Sequence, residues 1–169
     1  NFAKKFSVDG FQDFVSAARL ESLGGRTHGL VNLKLSGEAP PHDPAAFTRL
    51  SAAIGDRPIV VAASTHEGEE IALVRALDHL TDRLCLILVP RHPERSPHIA
   101  AALSGDGYRF ALRSQGAQPD ADTDLYVADT LGEMGLFFRV CDLAVMGGSF
   151  VAGVGGHNPL EPARLAKPI

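Results

Sequence analysis

The sequence has no tryptophan and only two cysteines among its 169 residues. Two cysteines cannot build the disulfide framework that holds many small secreted domains together. Because Cys85 and Cys141 both lie inside apolar runs, we expect free, buried thiols and a reducing compartment. The sequence also lacks an apolar run of the roughly 18 residues that a membrane-spanning helix needs, and its N-terminus has no signal-peptide pattern. It therefore predicts a soluble chain.

Positive charge is scarce as well. Sixteen Lys and Arg residues stand against twenty Asp and Glu residues, which gives a formal net charge of −4. This balance argues against a general binder of nucleic acid or anionic membranes, since such proteins usually carry a basic patch. It leaves open a small anionic ligand that a few local groups hold. The 45% of hydrophobic residues suffices for the core of one domain at this length.

Apolar runs of strand length alternate with segments of helical spacing. The strongest runs are continuous, which is typical of strands buried on both faces of a parallel sheet. The strand–helix order predicts right-handed crossovers and a doubly wound α/β sheet. The predicted strands cover residues 58–64, 84–90, 108–114, 124–130 and 142–149. The predicted helices cover residues 43–56, 67–80, 96–105 and 132–141.

Residues 1–35 have a different pattern, a predicted helix over 8–25 followed by a short strand over 27–35. We interpret them as a lead-in from a preceding domain, and a Pro-rich linker opens the main domain of residues 36–169. The chain has no start methionine, and its last residues, LAKPI, look like the beginning of a further apolar strand. We therefore expect a piece of a larger protein, with a main domain truncated at its C-terminal end.

Polar motifs follow four of the predicted strands. They are STHEGEE (64–70), PRHPER (90–95), DTLGEMG (129–135) and GGSFVAGVGGHNPLEP (147–162). In an open parallel sheet, ligands bind beyond the carboxyl ends of the strands. We therefore expect the four motifs to meet at one edge of the sheet and to form a binding site there.

The glycine-rich motif carries the strongest signal. Backbone amides around Gly148 and the hydroxyl of Ser149 can surround a phosphate, and Gly156 lets a ligand lie against the main chain. Asn158 is the predicted cap of a helix that begins at the following proline. The carboxylate of Glu161, in the first turn of that helix, can accept hydrogen bonds from a diol such as ribose. The alternative is a plain glycine-rich turn before a capped helix.

The other motifs offer donors for an anionic ligand. In STHEGEE, Ser64 can donate its hydroxyl, and the amides from Gly68 onward face outward at a helix start. The alternative for this motif is a simple Ser/Thr cap of the helix. In PRHPER, Arg91 and His92 suit a phosphate or a carboxylate, unless the segment is only an exposed turn. Met134 can cover a flat ring or fill the core.

No metal or dinucleotide signature accompanies these motifs. His66, Glu69, His92 and His157 could converge, but the sequence has neither H-E-x-x-H nor a cysteine pair with zinc spacing. The Walker A loop and the G-x-G-x-x-G fingerprint are absent too, which disfavours a dinucleotide. We predict no metal and no cofactor.

In this order, NLKL, STHEGEE, PRHPER, DTLGEMG, GGSFV and GGHNPLEPA resemble the C-terminal half of 3-deoxy-D-manno-octulosonic acid (Kdo) transferases, from about residue 17 to the end. The resemblance implies a GT-B glycosyltransferase of two Rossmann-like domains that moves Kdo from CMP-Kdo to a lipid A precursor in lipopolysaccharide biosynthesis. It implies action at the cytoplasmic face of the inner membrane of Gram-negative bacteria, with no bound metal. The loop around Gly153 is slightly longer than the family pattern.

The resemblance also implies roles for individual residues. Pro90 and Arg91 would border the cytosine with Met134 over the ring face, and Glu161 would bind ribose hydroxyls. The other implied donor-binding residues, most of them near the phosphate or the Kdo carboxylate, are Ser64, His66, Gly68, Glu69, His92, Gly148, Ser149, Gly156 and Asn158.

The general base and the lipid A precursor site would lie in an N-terminal domain, so no catalytic residue is assigned in this chain. We expect this part to bind CMP-Kdo without transferring Kdo, and we expect the full-length protein to be membrane-associated. Two alternatives remain. One is a nucleotide-sugar epimerase or hydrolase of the same fold that uses His66 or Glu67 as acid or base. The other is a non-catalytic nucleotide-binding module.

Overall fold

The computed structural model describes residues 9–11, 13–30, 37–80 and 83–169. The chain divides into two compact units, Asn1–Glu38 and Ala39–Ile169. The motif NLKL lies outside the described residues. The assignment of residues 1–35 to a preceding domain stays a prediction.

The first unit holds two short parallel strands. β1 (Asp9–Phe11) pairs with β2 (Thr27–Leu30), and the helix α1 (Phe14–Ser22) lies between them in the chain. α1 begins after Asp13, whose carboxylate accepts a backbone N–H of the first turn at 2.8 Å. The predicted helix over 8–25 is therefore wrong at its start. A strand of three residues is too short to show an alternation of its own in the sequence.

The second unit is built on five parallel strands. They are β3 (Ile59–Thr65), β4 (Cys85–Pro90), β5 (Phe110–Leu112), β6 (Leu125–Val127) and β7 (Leu143–Met146). Their order across the sheet is β5-β6-β4-β3-β7, and every neighbouring pair is parallel. Each strand lies within the range predicted for it or within one residue of it, because long apolar runs mark strands that are buried on both faces.

Helices cover both faces of this sheet. They are α2 (Pro44–Ile54), α3 (Glu69–Leu77), α4 (Ser96–Gly105), α5 (Met134–Val140) and α6 (Leu160–Arg164). Val61 and Ile87 pack in the core beneath α2 and α5, whereas Ala62 and Leu86 pack in the core beneath α3 and α4. This arrangement confirms the doubly wound α/β fold. In the described parts of the chain, no helix is long and apolar enough to span a membrane.

The strand order reverses at β3. The chain passes from β3 to β4 on one side and later returns to β7 on the other, and ligands bind at the carboxyl ends of such a switch point. The two chain segments are close here, because a Cβ on Gly147 would lie 2.4 Å from the carbonyl oxygen of Ser64. Ser64 has a left-handed φ of 57°, which is strained for a residue with a side chain and is enriched at functional sites.

The Pro-rich segment before α2 packs against α5. A Cβ on Gly135 would lie 2.0 Å from the carbonyl oxygen of Pro41, and Arg139 donates a hydrogen bond to the carbonyl of Pro40. Gly135 therefore serves a contact within the fold, and the start of α5 is held against this segment.

Candidate functional site

A small cleft lies at the carboxyl edge of the sheet, between the loops that follow β3, β4 and β6. Four of the residues that line it are predicted site residues, namely Ser64, Pro90, Arg91 and Met134. The other residues that line it are Val89, Thr130, Leu131, Gly132 and Glu133. Its volume is about 140 Å³, below the roughly 300–1,000 Å³ of pockets that enclose a whole ligand. The cleft therefore suits one ring of a larger ligand, with the rest lying on the open rim.

One wall of this cleft is held by an ion pair that the sequence did not reveal. Arg113 follows β5, and its Nε donates to Glu133 at 2.5 Å while its Nη2 donates to the other carboxylate oxygen. The Thr130 hydroxyl donates to the same carboxylate. The hydrogen bond from Arg113 lowers the pKa of Glu133. Burial raises it by less, so the pKa lies below its usual value. Glu133 therefore stays ionised and fixes the loop that carries Met134.

Two histidines meet beside the cleft. The Nε2 atoms of His66 and His157 are 2.7 Å apart, and the rings lie parallel within 4°. At this distance one nitrogen donates and the other accepts, so one N–H lies between the two rings. Burial, and then the positive charges of His66 and Arg91, lower the pKa of His157. His92 approaches His66 edge-on, with ring centroids 6.3 Å apart.

Glu69 is not on the open rim. Its side chain is 1% exposed, and its Oε2 accepts the backbone N–H groups of Gly148 at 2.8 Å and His66 at 2.9 Å. Its Oε1 accepts the N–H of Phe150 at 3.0 Å. One of the amides predicted to surround a ligand phosphate, that of Gly148, thus binds an internal carboxylate. The structure therefore gives Glu69 and the Gly148 amide a role within the fold that differs from the predicted contact with a ligand.

The neighbouring acid, Glu70, ties down a different loop. Both of its carboxylate oxygens accept hydrogen bonds from Arg95, at 2.8 and 3.2 Å, and the Thr65 hydroxyl donates to it at 2.9 Å. α3 begins after Gly68, which has a left-handed φ of 91°, and no side chain caps it. The alternative of a simple Ser/Thr cap is therefore wrong. The Arg95 side chain is itself largely buried in this contact, with 21% of it exposed.

The rest of the glycine-rich loop closes on itself and leads into α6. The N–H of Gly156 donates to the carbonyl of Gly148 at 2.8 Å, and the Ser149 hydroxyl donates to the Met146 carbonyl at 3.0 Å. α6 begins at Leu160, one residue later than predicted. Pro159, and not Asn158, takes the cap position. Asn158 lies one residue before the cap, and its Oδ1 accepts the Leu160 N–H at 3.1 Å.

Glu161 lies half-buried in the first turn of α6, as predicted. Within the part of the chain that the structure describes, neither Glu161 nor Asn158 lines the cleft. The histidines also do not complete a metal centre, since no group of three or more His, Cys, Asp or Glu residues in the described ranges could hold a metal ion. Whether the reaction needs a metal stays a prediction.

The chain is similar to curated 3-deoxy-D-manno-octulosonic acid transferases. It is 43% identical over 117 residues to the protein from Haemophilus influenzae, which covers 68% of this chain and 27% of that relative. It is 32% identical over 170 residues to the protein from Rickettsia bellii, which covers 98% of this chain and 40% of that relative. The chain thus spans 27% to 40% of the length of these two relatives. No family model matches the chain.

A solved structure is similar as well. It is the C-terminal CMP-Kdo binding domain of WaaA from Acinetobacter baumannii, with a TM-score of 0.69 and 34% identity. The likeness covers 73% of this chain and 67% of that one. The parallel sheet, the loops at its carboxyl edge and these likenesses define the class, a Rossmann-like domain of a glycosyltransferase. The chain belongs to the 3-deoxy-D-manno-octulosonic acid transferase family and matches the C-terminal domain of its members. The resemblance found in the motifs is thereby confirmed.

Proposed function

We propose that this chain is the CMP-Kdo-binding half of a GT-B glycosyltransferase that moves Kdo from CMP-Kdo to a lipid A precursor. The observation that carries the proposal is the likeness to the CMP-Kdo binding domain of WaaA. It is supported by the loops after β3, β4, β6 and β7, which carry the candidate donor-binding residues to the carboxyl edge of one sheet. That is the edge at which ligands bind in sheets of this kind.

The cleft is the proposed site of the cytosine ring. Pro90 and Met134 give it an apolar wall, and a thioether packs well against the face of an aromatic ring. Arg91 also lines the cleft and is exposed, and its planar, permanently charged guanidinium can bind the phosphate or the edge of the base. Glu161 is the proposed partner of the ribose hydroxyls, because its carboxylate accepts two hydrogen bonds from a diol.

The anionic groups of the donor are proposed to lie between the cleft and the histidine pair. Negative charge grows on the phosphate as the bond from Kdo to CMP breaks, and preorganised donors stabilise it. Arg91 is the donor proposed here, and the Ser149 hydroxyl becomes a second one when it turns away from the Met146 carbonyl. A ligand anion also favours the protonated form of His157, so this histidine is proposed to take up a proton more readily when the donor is bound.

The acceptor hydroxyl needs a general base, and we assign none within residues 1–169. We propose that the N-terminal part of the full-length protein supplies the base and the lipid A precursor site, and that it works at the cytoplasmic face of the inner membrane. No nucleic acid, metal or cofactor takes part in the proposed reaction. The likeness to transferases favours this function over an epimerase, a hydrolase or a binding module.

Calorimetric titration with CMP, UMP and AMP tests the proposal. We expect CMP to bind best and Glu161→Ala to weaken CMP binding about tenfold or more, because hydrogen bonds to a charged group are lost. Asp106→Ala is the matched control, since it removes an exposed carboxylate just after α4 that pairs with Arg75 on the surface and should leave affinity unchanged. Equal binding of CMP and AMP, or no loss with Glu161→Ala, contradicts the proposal. Hydrolysis of CMP-Kdo without an acceptor favours the rival enzyme class.

A further inference from the structure

Glu69 joins the two segments that meet at the switch point of the sheet. On one side its carboxylate accepts the N–H of His66, at the end of β3. On the other side it accepts the N–H groups of Gly148 and Phe150, in the loop after β7. One buried side chain therefore bridges β3 and β7 at the place where the strand order reverses.

The carboxylate is held as an anion. Burial by itself raises the pKa of Glu69, but the backbone N–H groups of Gly148, His66 and Phe150 together outweigh it, so the pKa lies below its usual value. A buried charge without such donors would be strongly unfavourable. Three N–H groups directed at one carboxylate leave little room for a ligand phosphate on the same amides, so the loop is organised around Glu69.

The loop depends on this contact. Among the described residues, Glu69 is the side chain from outside the loop that bonds to its backbone at 147–150. Further along, Gly156 and His157 donate N–H bonds to the carbonyls of Gly148 and Gly147. The position of the His157 ring against His66 therefore follows from where Glu69 holds the base of the loop.

We propose that Glu69 is a positioning residue that sets the conformation of the glycine-rich loop, residues 147–158, before the donor binds. The effect of Glu69 on donor binding rests on the proposed function. If the chain binds CMP-Kdo, a loop whose conformation is already set receives the donor phosphate without rearrangement. Glu69 itself does not contact the donor. Its effect on affinity passes through the amides of Gly148 and Phe150 and through the contact between the two histidines.

The test compares Glu69→Gln with Asp142→Asn. Asp142 is a matched control, because its carboxylate also accepts a backbone N–H that joins β3 and β7, that of Ile59 at 2.8 Å, but at the opposite edge of the sheet. Two quantities are measured for each variant by NMR and calorimetry. They are the hydrogen-exchange rates of the Gly148 and Phe150 amides in the ligand-free protein, and the dissociation constant for CMP.

In Glu69→Gln we expect the two amides to exchange at least tenfold faster and CMP to bind at least tenfold more weakly, with neither change in Asp142→Asn. We also expect the Gly148 and Phe150 amide proton shifts to titrate below pH 4.5 in the wild type, as Glu69 is protonated, and not in Glu69→Gln. This titration tests directly whether the two amides bond to the Glu69 carboxylate. If Glu69→Gln does not fold, Glu69→Asp keeps the charge on a shorter side chain and takes its place.

Unchanged exchange of the two amides overturns the proposal, and so does unchanged CMP affinity in a variant whose amides exchange faster. If the wild-type chain binds no CMP, the proposed donor-binding function fails instead. The exchange rates and the pH titration of the Gly148 and Phe150 amides then still decide whether Glu69 sets the loop.

Discussion

Replacement of Gly147 by alanine tests the close approach of β3 and β7. The added Cβ would lie 2.4 Å from the Ser64 carbonyl oxygen and 2.7 Å from both the Ser64 carbonyl carbon and the Thr65 Cα. All three atoms belong to the backbone, so no side chain can turn away to make room. The φ of Gly147 is not left-handed, and the whole cost is therefore steric.

We expect this substitution to lower the free energy of unfolding by about 1–3 kcal/mol, as overpacking of a well-packed site does. For a chain of this size the corresponding fall in Tm is about 2–12 °C. Urea and thermal denaturation followed by circular dichroism measure both quantities, and an unchanged dependence on urea concentration would show that the compactness of the two states is preserved.

Gly105→Ala is the control for Gly147→Ala. Gly105 is the last residue of α4, and a Cβ there meets nothing within 4 Å. Alanine at this position should leave stability unchanged or raise it by up to about 1 kcal/mol, because glycine is the weaker helix former. If Gly147→Ala is as stable as the wild type, the two strands do not meet as described and the geometry of the switch point is wrong.

Two further predictions concern charge. Arg95→Met should lower the free energy of unfolding by about 3–5 kcal/mol, because it leaves the carboxylate of Glu70 buried without its partner. The control is Arg75→Met, which removes an exposed pair with Asp106 and should lower the free energy of unfolding by no more than about 1 kcal/mol. Equal losses in urea denaturation would contradict the burial of the first pair. Because the pKa of His157 is lowered on folding, its contribution to stability is present above the unfolded pKa of about 6.5 and is lost as the pH falls through the folded pKa. The urea midpoint should therefore decrease as the pH is lowered from about 7.5 to about 5, and it should decrease less in His157→Asn. A midpoint that rises on acidification would refute the lowered pKa of His157.

The sheet could be predicted because its signal is local. Each of the long apolar runs, such as 84–90, marks a strand that is buried on both faces, and burial on both faces leaves a pattern in consecutive residues. β1 was missed for the opposite reason. Asp9–Phe11 is extended because it pairs with β2, and that pairing has no counterpart in the three residues themselves.

The edge of the sheet at which the polar motifs meet could be predicted, but the contacts that each of their residues makes there could not. Glu69 and Glu70 are neighbouring acids in one helical turn, and the sequence gives them the same features. Their roles differ because the glycine-rich loop reaches one carboxylate and Arg95 reaches the other. The contact between His66 and His157 joins residues far apart in the chain, so no spacing rule reveals it.

We propose above all that the carboxyl edge of the sheet binds a cytidine nucleotide. An NMR titration of the ¹⁵N-labelled chain with CMP tests it most directly. We expect saturable shifts of the amides of Ser64, Arg91 and Met134, which line the cleft, and none around the separate cleft beside Arg57 and Asp142 at the amino edge. Shifts confined to the amino edge, or no saturable shift at all, would contradict it.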